Sequence, residues 1–503
     1  MEQTTIFDIM YPKYKITKPI RLIEFFSGYG SQALALKYLG VEFEHWKICE
    51  WAIKSIQAYK DIHFTDDNFD YSWCYENKED IADYLYELGI SNNYNEPMKL
   101  EQIKRLNENQ LRTIYNNIRA THNLVNIQTV CGSDLEIVDT DKYDYILTYS
   151  FPCQDLSLAG KGKGMSDTST RSGMLWEVER ILTECKELGT LPQILLMENV
   201  PQIHSSDNMK DFNKWQLRLE ELGYHNYFQD LIATDYGIPQ TRNRCFMISI
   251  LGDYSYTFPK PIPLKLKLKD MLENNVDEKY YLSDKMINFF YQNEQKQQEK
   301  GNGFKFGVSD GNVIAKTITT RAGNRMDDNF IKIKNNTKKG YLEATEGDGI
   351  DLTQPNSETR RGRVQKGAIQ TLTTQNSLGE CVKPKVLGGI GEKDSNNNTQ
   401  WKQQNRIYDN NVGIAVTTCF NPNYLDNKLR IRKLTPYECF ALMGVKKEDY
   451  LNCAKNQSDS SLYHLAGDSI CTSCLMALFS QLLDINWEDK LWNIKNSTKT
   501  ENI

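Results

Sequence analysis

Long apolar runs are missing from this chain: no stretch approaches the roughly 18 residues that a bilayer-spanning helix needs, so no membrane association is expected. The segment Met1 to Lys18 is polar and aromatic and lacks the apolar centre of a signal peptide, so a cytoplasmic protein is expected. Cysteine is thin. Twelve residues scattered from Cys49 to Cys474 cannot form the disulfide framework of a 503-residue chain. Only Cys471 and Cys474 make a C-x-x-C pair, and they sit in the apolar, helix-like stretch CTSCLMALFSQLL, which reads as packing; no metal is expected. A strong overall charge is absent too, since the net value of −6 gives no global sign of nucleic-acid binding.

The distribution of charge says more than its sum. Between Lys260 and Lys433 there are 29 Lys and Arg against 20 Asp and Glu, a local balance of +9, while the remainder carries 31 against 46. One internal segment is therefore basic in an otherwise acidic protein, as expected of a segment that meets phosphates. A soluble Lys-rich insertion would give the same balance.

With 503 residues the chain has room for two or three domains. From 18 to 258 the pattern is α/β. RLIEFF (21–26), YDYILTYS (143–150), ILLMEN (194–199) and RCFMISI (244–250) read as buried strands, separated by helix-like stretches such as SQALALKYLG (31–40) and LWEVERILTECKELG (175–189). This alternation predicts a doubly wound, largely parallel sheet with ligands bound beyond the carboxyl ends of its strands. Residues of about 60–128 interrupt the rhythm as a polar, partly helical insertion between the second and third strands, with no chemistry of its own in view. Residues 259–430 read as a smaller, mainly β domain with Gly- and Asn-rich loops. A weak repeat runs through it: AKTITTRAGN (315–324), IQTLTTQNSLG (369–379) and IAVTTCFNPN (414–423). Residues 431–485 turn helical again and are expected to pack back on the first domain.

The first strand runs into Ser27-Gly28-Tyr29-Gly30-Ser31-Gln32-Ala33, a G-x-G-x-x-A turn that lets a ligand approach the backbone at a helix N-terminus. Glu50 follows twenty residues past Gly30, suited to two ribose hydroxyls. Trp51 offers a face to adenine, and Asp134 an acceptor to its amino group. This pattern leaves a nicotinamide dinucleotide and S-adenosylmethionine both open; Trp51 reads equally as core and Asp134 as surface.

The fourth strand delivers Pro152-Cys153-Gln154, the next Glu198-Asn199-Val200, and a later one begins at Gln240-Thr241-Arg242-Asn243-Arg244. A thiol, a carboxyl and two guanidiniums thus gather on one sheet edge. Methylation of cytosine at carbon 5 needs this set. A thiolate adding to carbon 6 breaks the aromaticity and makes carbon 5 nucleophilic. A protonated carboxyl near N3 neutralises the charge pushed into the ring, and an arginine at O2 stabilises what develops there. The base that removes the carbon-5 proton is not identified by the sequence. Taken singly, a buried Cys or a helix-capping Glu-Asn-Val would explain each residue without chemistry.

In these motifs the chain resembles the cytosine carbon-5 DNA methyltransferases of bacteria and their phages. The similar segments, in the family's order, are FFSGYGS, the acid in CEW, SDL, SFPCQDLSLAGKGKG, RSGMLWE, MENV, YGIPQTRNR, RKLTPYECFALMGV and HLAGDSI. The resemblance implies a Rossmann-like class I methyltransferase domain beside a target recognition domain. It implies Cys153 as nucleophile, Glu198 at N3, and Arg242 and Arg244 as substrate-side arginines. S-adenosylmethionine is expected among Phe26, Gly28, Tyr29, Gly30, Glu50, Trp51, Asp134, Leu135, Pro152, Asp468 and Ser469. Gln154, Ser157, Lys161 and Gln240 are expected on the substrate side, under a loop that closes over a cytosine flipped out of duplex DNA. Base-reading arginines are sought among Arg321, Arg325, Arg360, Arg361, Arg363 and Arg406, with Arg321 and Arg361 foremost, although phosphate contact is the commoner role. The three Thr-Thr units raise the expectation of more than one reading unit, hence of more than one methylated motif.

Three departures stand out. Ser31 replaces a frequent third glycine, Asp468 stands where the family usually has Asn, and the 60–128 insertion exceeds the family norm. The rival readings are a tRNA cytosine-5 methyltransferase, a catalytically idle DNA-binding relative and a nicotinamide oxidoreductase. The last leaves Pro-Cys-Gln and Gln-Thr-Arg-Asn-Arg without a role. A monomer is expected, and a companion restriction endonuclease and a phage or orphan role both stay open.

Overall fold

In the computed structural model the apolar runs become one mixed sheet of six strands: β1 (Ile20–Phe25), β2 (Phe43–Cys49), β3 (Asp144–Tyr149), β4 (Ile194–Asn199), β5 (Tyr224–Ile232) and β6 (Asn243–Leu251). Their order is β2-β1-β3-β4-β6-β5. β1 to β4 run parallel, and β6 is antiparallel to both of its neighbours. Every residue of β1, β3 and β4 is buried, which is why these strands read as unbroken apolar runs rather than as alternation. The structure describes residues 11–152, 171–274, 276–301, 305–334 and 429–496, together with short strands between 349 and 408.

Helices α1 (Ser31–Leu39) and α2 (Ile53–His63) follow β1 and β2. The insertion adds α3 (Lys78–Glu87), α4 (Leu100–Lys104) and α5 (Glu108–Ala120). These pack around an apolar cluster of their own that includes Ile81, Leu85, Ile103, Leu111 and Ile118. Helices α6 (Leu175–Leu188) and α7 (Met209–Leu222) follow β3 and β4. α6 buries Leu175, Val178, Ile181, Leu182 and Cys185, a helical spacing that fixes its inward face, and Gly189 ends it in the left-handed conformation.

Chain order and spatial order part at β1: β2 lies on one side of it and β3 on the other. That switch point is where an α/β sheet opens a crevice.

Two compact units emerge. One comprises Met1–Val276, Lys296–Asn329 and Lys433–Ile503; the other comprises Asp277–Gln295 and Phe330–Arg432. This division differs from the expected 259–430 boundary. The segment 259–276 and the stretch Lys296–Asn329, which holds the first Thr-Thr unit, belong with the sheet. Hydrogen bonds show why: Thr241 N donates to Ala315 O (2.9 Å), Ala315 N to Pro239 O (2.8 Å), and Ile318 N to Gln240 Oε1 (3.0 Å). The described elements of the second unit include the short helix Glu278–Tyr280, most of the helix Asp284–Glu299 and short strands, such as Gly349–Asp351 between Val364–Gln365 and Leu378–Glu380. The other two Thr-Thr units lie essentially outside the described residues.

The C-terminal helices belong to the first unit. Thr472–Leu483 is buried along nearly its whole length and packs on α1. By length and composition Asp459–Leu483 is apolar enough to cross a membrane, contrary to the reading of the sequence, but 83% of its most apolar window is buried core. Asp449 accepts from Lys37 Nζ (2.7 Å) and Tyr38 Oη (2.6 Å), tying the returning chain to α1.

A Cβ placed on Gly467 would overlap the backbone of Thr319 and Thr320. Gly467→Ala is therefore expected to lower the stability of this unit by roughly 1–3 kcal/mol, read as a shift of the urea midpoint at unchanged slope.

Candidate active site

The carboxyl ends of β1 to β4 and the start of β6 share one edge, and there the first unit holds a cavity of about 270 Å³. The turn after β1 forms its floor. Phe26 (φ 56°), Gly28 (φ 55°) and Gly30 (φ 82°) all take left-handed backbone, and Phe26 N donates to Cys49 O (2.8 Å). At Gly30 a Cβ would run into the His63 and Tyr59 side chains, so glycine is required there for space as well as for φ.

Glu50 follows β2. Its Oε2 accepts from Gly28 N (3.0 Å) and its Oε1 from Ala52 N (2.8 Å), fixing the carboxyl at the cavity wall. Burial pushes its pKa up to about 7, against the pull of those N–H groups. Trp51, Phe26 and the strip Asn126–Gln128 line the same part of the cavity.

The chemical wall comes from β3, β4 and β6. Ser150, Phe151 and Pro152 continue β3, and Asn199 Nδ2 donates to Phe151 O (3.1 Å), clamping that turn to the end of β4. Glu198 is buried, and its Oε1 lies 3.0 Å from Arg244 Nε. Burial raises the Glu198 carboxyl above the usual carboxylate range, while Arg244 and then Arg242 draw it down. A carboxyl so poised can hold a proton and give it up, the requirement for general acid work. Arg242 is also buried; burial, followed by Arg244, lowers its pKa to about 10. Opposite stand His464, Gly467, Asp468 and Ser469. Asp468 is exposed toward the cavity, its Oδ2 3.2 Å from His464 Nδ1. Burial of its surroundings raises this carboxyl, and His464, Arg242 and Arg244 lower it.

The structure thus brings together Phe26, Gly28, Tyr29, Glu50, Trp51, Pro152, Glu198, Arg242, Arg244, Asp468 and Ser469. Gly30 supports the floor from beneath. Asp134 and Leu135, expected at the adenine, are not among the lining residues. Asp134 spends a carboxylate oxygen on Cys131 N (2.8 Å), capping the short helix Gly132–Leu135, and Leu135 is core, its carbonyl accepting from Trp46 Nε1 (2.8 Å). Asn126, Ile127 and Gln128 occupy the wall instead. Gln240 also departs from its expected place. It is fully buried, donating through Nε2 to Leu442 O (2.6 Å) and accepting from Ile318 N, so it ties backbone together rather than facing substrate. Arg242 in part shares that fate, donating to Ile318 O, Gly467 O and Ser469 O. Arg321 is exposed. Cys153, Gln154, Ser157, Lys161 and Arg361 lie outside the described residues. Sequence reasoning missed Tyr94, Asn95 and the Asn126–Gln128 strip, which carry no motif, and His464, which opens the HLAGDSI segment.

Residues 102–484 match the family model described as C-5 cytosine-specific DNA methylase. The chain belongs to this family. The orphan methyltransferase M.SssI of Spiroplasma monobiae is 38% identical over 274 residues, 53% of this chain and 68% of that protein. The type II methyltransferase M2.ScrFI of Lactococcus lactis subsp. cremoris is 35% identical over 282 residues, 53% of this chain and 71% of that protein. Among solved structures, the S. pombe Dnmt2 methyltransferase shares the fold at 14% identity, with a TM-score of 0.51 over 93% of this chain and 99% of that one.

The raised Glu50 carboxyl gives this methylase a pH signature. An unfolded glutamate titrates near ~4.3, whereas folded Glu50 holds its proton to about 7. Between those values the folded state binds the extra proton, so stability is full below the lower pKa and is lost as pH rises through the upper one. Glu24, also raised to about 7 by burial, adds the same trend. His45 and His63, held low by burial, oppose it. The comparison with Glu50→Gln isolates one share: between pH 5 and pH 7.5 the variant is expected to lose about 2 kcal/mol less stability than the wild type, measured by urea unfolding at each pH. Parallel curves would rule out the perturbed carboxyl.

Proposed function

We propose that this methylase transfers a methyl group from S-adenosylmethionine to carbon 5 of a cytosine flipped out of a specific duplex DNA sequence. What carries the reading is one cavity that holds Glu50 and Trp51 at its cofactor side and the buried Glu198–Arg244 pair, next to Pro152, at its chemical side. The donor set fits an adenosyl group. A fixed carboxyl can accept from two ribose hydroxyls, aromatic side chains of Phe26 and Trp51 suit a base face, and the left-handed turn leaves backbone open to close approach. When bound, S-adenosylmethionine supplies an electrophilic methyl group.

The chain's residues do the rest. The thiolate of Cys153, which follows Pro152 in sequence, adds to carbon 6, and the electron pair of the 5,6 double bond moves toward carbon 5 and N3. Glu198 gives its proton toward N3, and its raised pKa supports that role. Arg244 holds the Glu198 carboxyl in place and offers donors to O2. Arg242, bound to three carbonyls, positions the wall rather than the substrate. Once carbon 5 carries the methyl group, with S-adenosylhomocysteine as the leaving group, loss of the carbon-5 proton to a base expels the thiolate and restores the double bond, and N3 returns its proton to Glu198.

Duplex DNA is read from outside this cavity. Exposed Arg321 is a foremost candidate, with Arg361 beside it from the sequence alone, in a protein that acts as a cytoplasmic monomer on one strand at a time. The relatives' names suggest work beside a restriction endonuclease or as an orphan enzyme.

Labelled S-adenosylmethionine with unmethylated bacterial DNA or with total tRNA tests the reading, followed by bisulfite sequencing of the DNA. Wild type is expected to label cytosines in one or a few short motifs. Cys153→Ala should fall to background while still binding the cofactor, and Glu198→Gln should lose about 10²–10⁴-fold in rate. Label in tRNA alone would overturn the substrate.

A further inference from the structure

The insertion between β2 and β3 reaches the cavity through the Asn126–Gln128 strip at its end and through the loop Ser91–Pro97. Backbone hydrogen bonds fasten that loop beside the Glu50–Trp51 turn: Ser91 N donates to Trp51 O (2.8 Å) and Ile53 N to Ser91 O (2.9 Å). Its far end is closed by Met98 N donating to Ile90 O (2.8 Å). Inside the loop, Ser91 Oγ donates to Glu96 O (2.7 Å), while Asn93 Oδ1 accepts from Asn95 N (3.0 Å) and Glu96 N (3.2 Å). At the start of the loop, Gly89 is left-handed, and a Cβ there would press on the Asn126 side chain of the cavity's inner strip.

This bracing holds Tyr94 at φ 62°, a left-handed conformation that a bulky residue seldom adopts. The ring is thereby turned onto His464, with centroids 4.1 Å apart and planes 15° from parallel. Tyr94, Asn95 and His464 all line the cavity, and Asp468 lies beside His464. The hydroxyl of Tyr94 is buried and faces Ser55, another lining residue. A loop that served only to connect helices of the insertion would need neither the backbone conformation nor the stack.

We propose that Tyr94 is a cofactor-binding residue, so that the insertion supplies one wall of the S-adenosylmethionine site. The inference rests on the reading of the cavity given above. An aromatic face next to an acidic side chain suits a cationic amino-acid group, and the methionine portion of the cofactor carries an ammonium and a sulfonium. The role belongs to the ring, not to the hydroxyl.

Calorimetric titration of the full-length protein with S-adenosylmethionine tests this, using wild type, Tyr94→Ala, Tyr94→Leu and Tyr94→Phe, with Glu50→Ala as the reference for the cavity. Each protein is also melted without ligand. Tyr94→Ala and Tyr94→Leu are expected to weaken binding about tenfold and Tyr94→Phe less than about threefold, with ligand-free Tm unchanged within about 2 °C for Tyr94→Leu and Tyr94→Phe. Wild-type affinity in Tyr94→Leu, or an equal loss in Tyr94→Phe, would overturn the role of the ring. Failure of the wild type to bind, or full affinity in Glu50→Ala, would instead overturn the reading of the cavity.

Discussion

Arg242 is the buried charge on which the first unit turns. Its guanidinium donates to Ile318 O (3.3 Å), Gly467 O (3.2 Å) and Ser469 O (2.6 Å), joining three stretches of chain that are far apart in sequence. A guanidinium removed from water must find such partners, because a buried cation without them is strongly destabilising. Satisfying it dictates where the Lys296–Asn329 stretch and the Gly-Asp-Ser turn lie relative to the start of β6. Gln240, two residues earlier, repeats the pattern with neutral bonds to Leu442 and Ile318. The Gln-x-Arg-x-Arg spacing then falls into place. On an extended segment, residues two apart share a side, and three successive members of that set run from structural anchor to reacting wall.

The division between the two arginines follows from what is left for each to bind. Arg242 turns both terminal nitrogens to carbonyls, whereas Arg244 lies against Glu198 and keeps partial exposure toward the cavity. Glu198 is consequently held between burial, which favours its neutral form, and a neighbouring guanidinium, which favours its anion. Neither force wins outright, and a proton donor that must also recover its proton needs that balance. Glu50 is different. Its carboxyl is pinned by two backbone N–H groups and is shifted chiefly by burial, the environment of a binding group rather than of an acid catalyst.

Much of this was legible in the sequence because the strands of a doubly covered parallel sheet announce themselves as short apolar runs and deliver their functional residues at one end. Phe26, Glu50, Pro152, Glu198 and Arg244 all sit within three residues of a strand terminus. What failed to show was anything set by side-chain competition. Asp134 looked available in a Ser-Asp-Leu segment, but its carboxylate is used in capping its own short helix. Gln240 looked like a substrate-side amide, but burial and two backbone partners were invisible to spacing. Tyr94 had no motif at all: its place depends on a left-handed φ and on an insertion folding around its own apolar cluster, neither of which a linear pattern encodes.

The same reasoning bears on the Thr-Thr repeat. Its three copies look equivalent as sequence, yet the first lies within the unit that holds the sheet, with Ala315 bonded to Pro239 and Thr241 on either side of Gln240 and with Thr319 and Thr320 against Gly467. At that contact there is no room for a Cβ, so small and β-branched residues are favoured there for packing alone. The Thr-Thr pair of the first copy is thus accounted for by its fit to the Gly-Asp-Ser turn within this unit, without appeal to DNA reading.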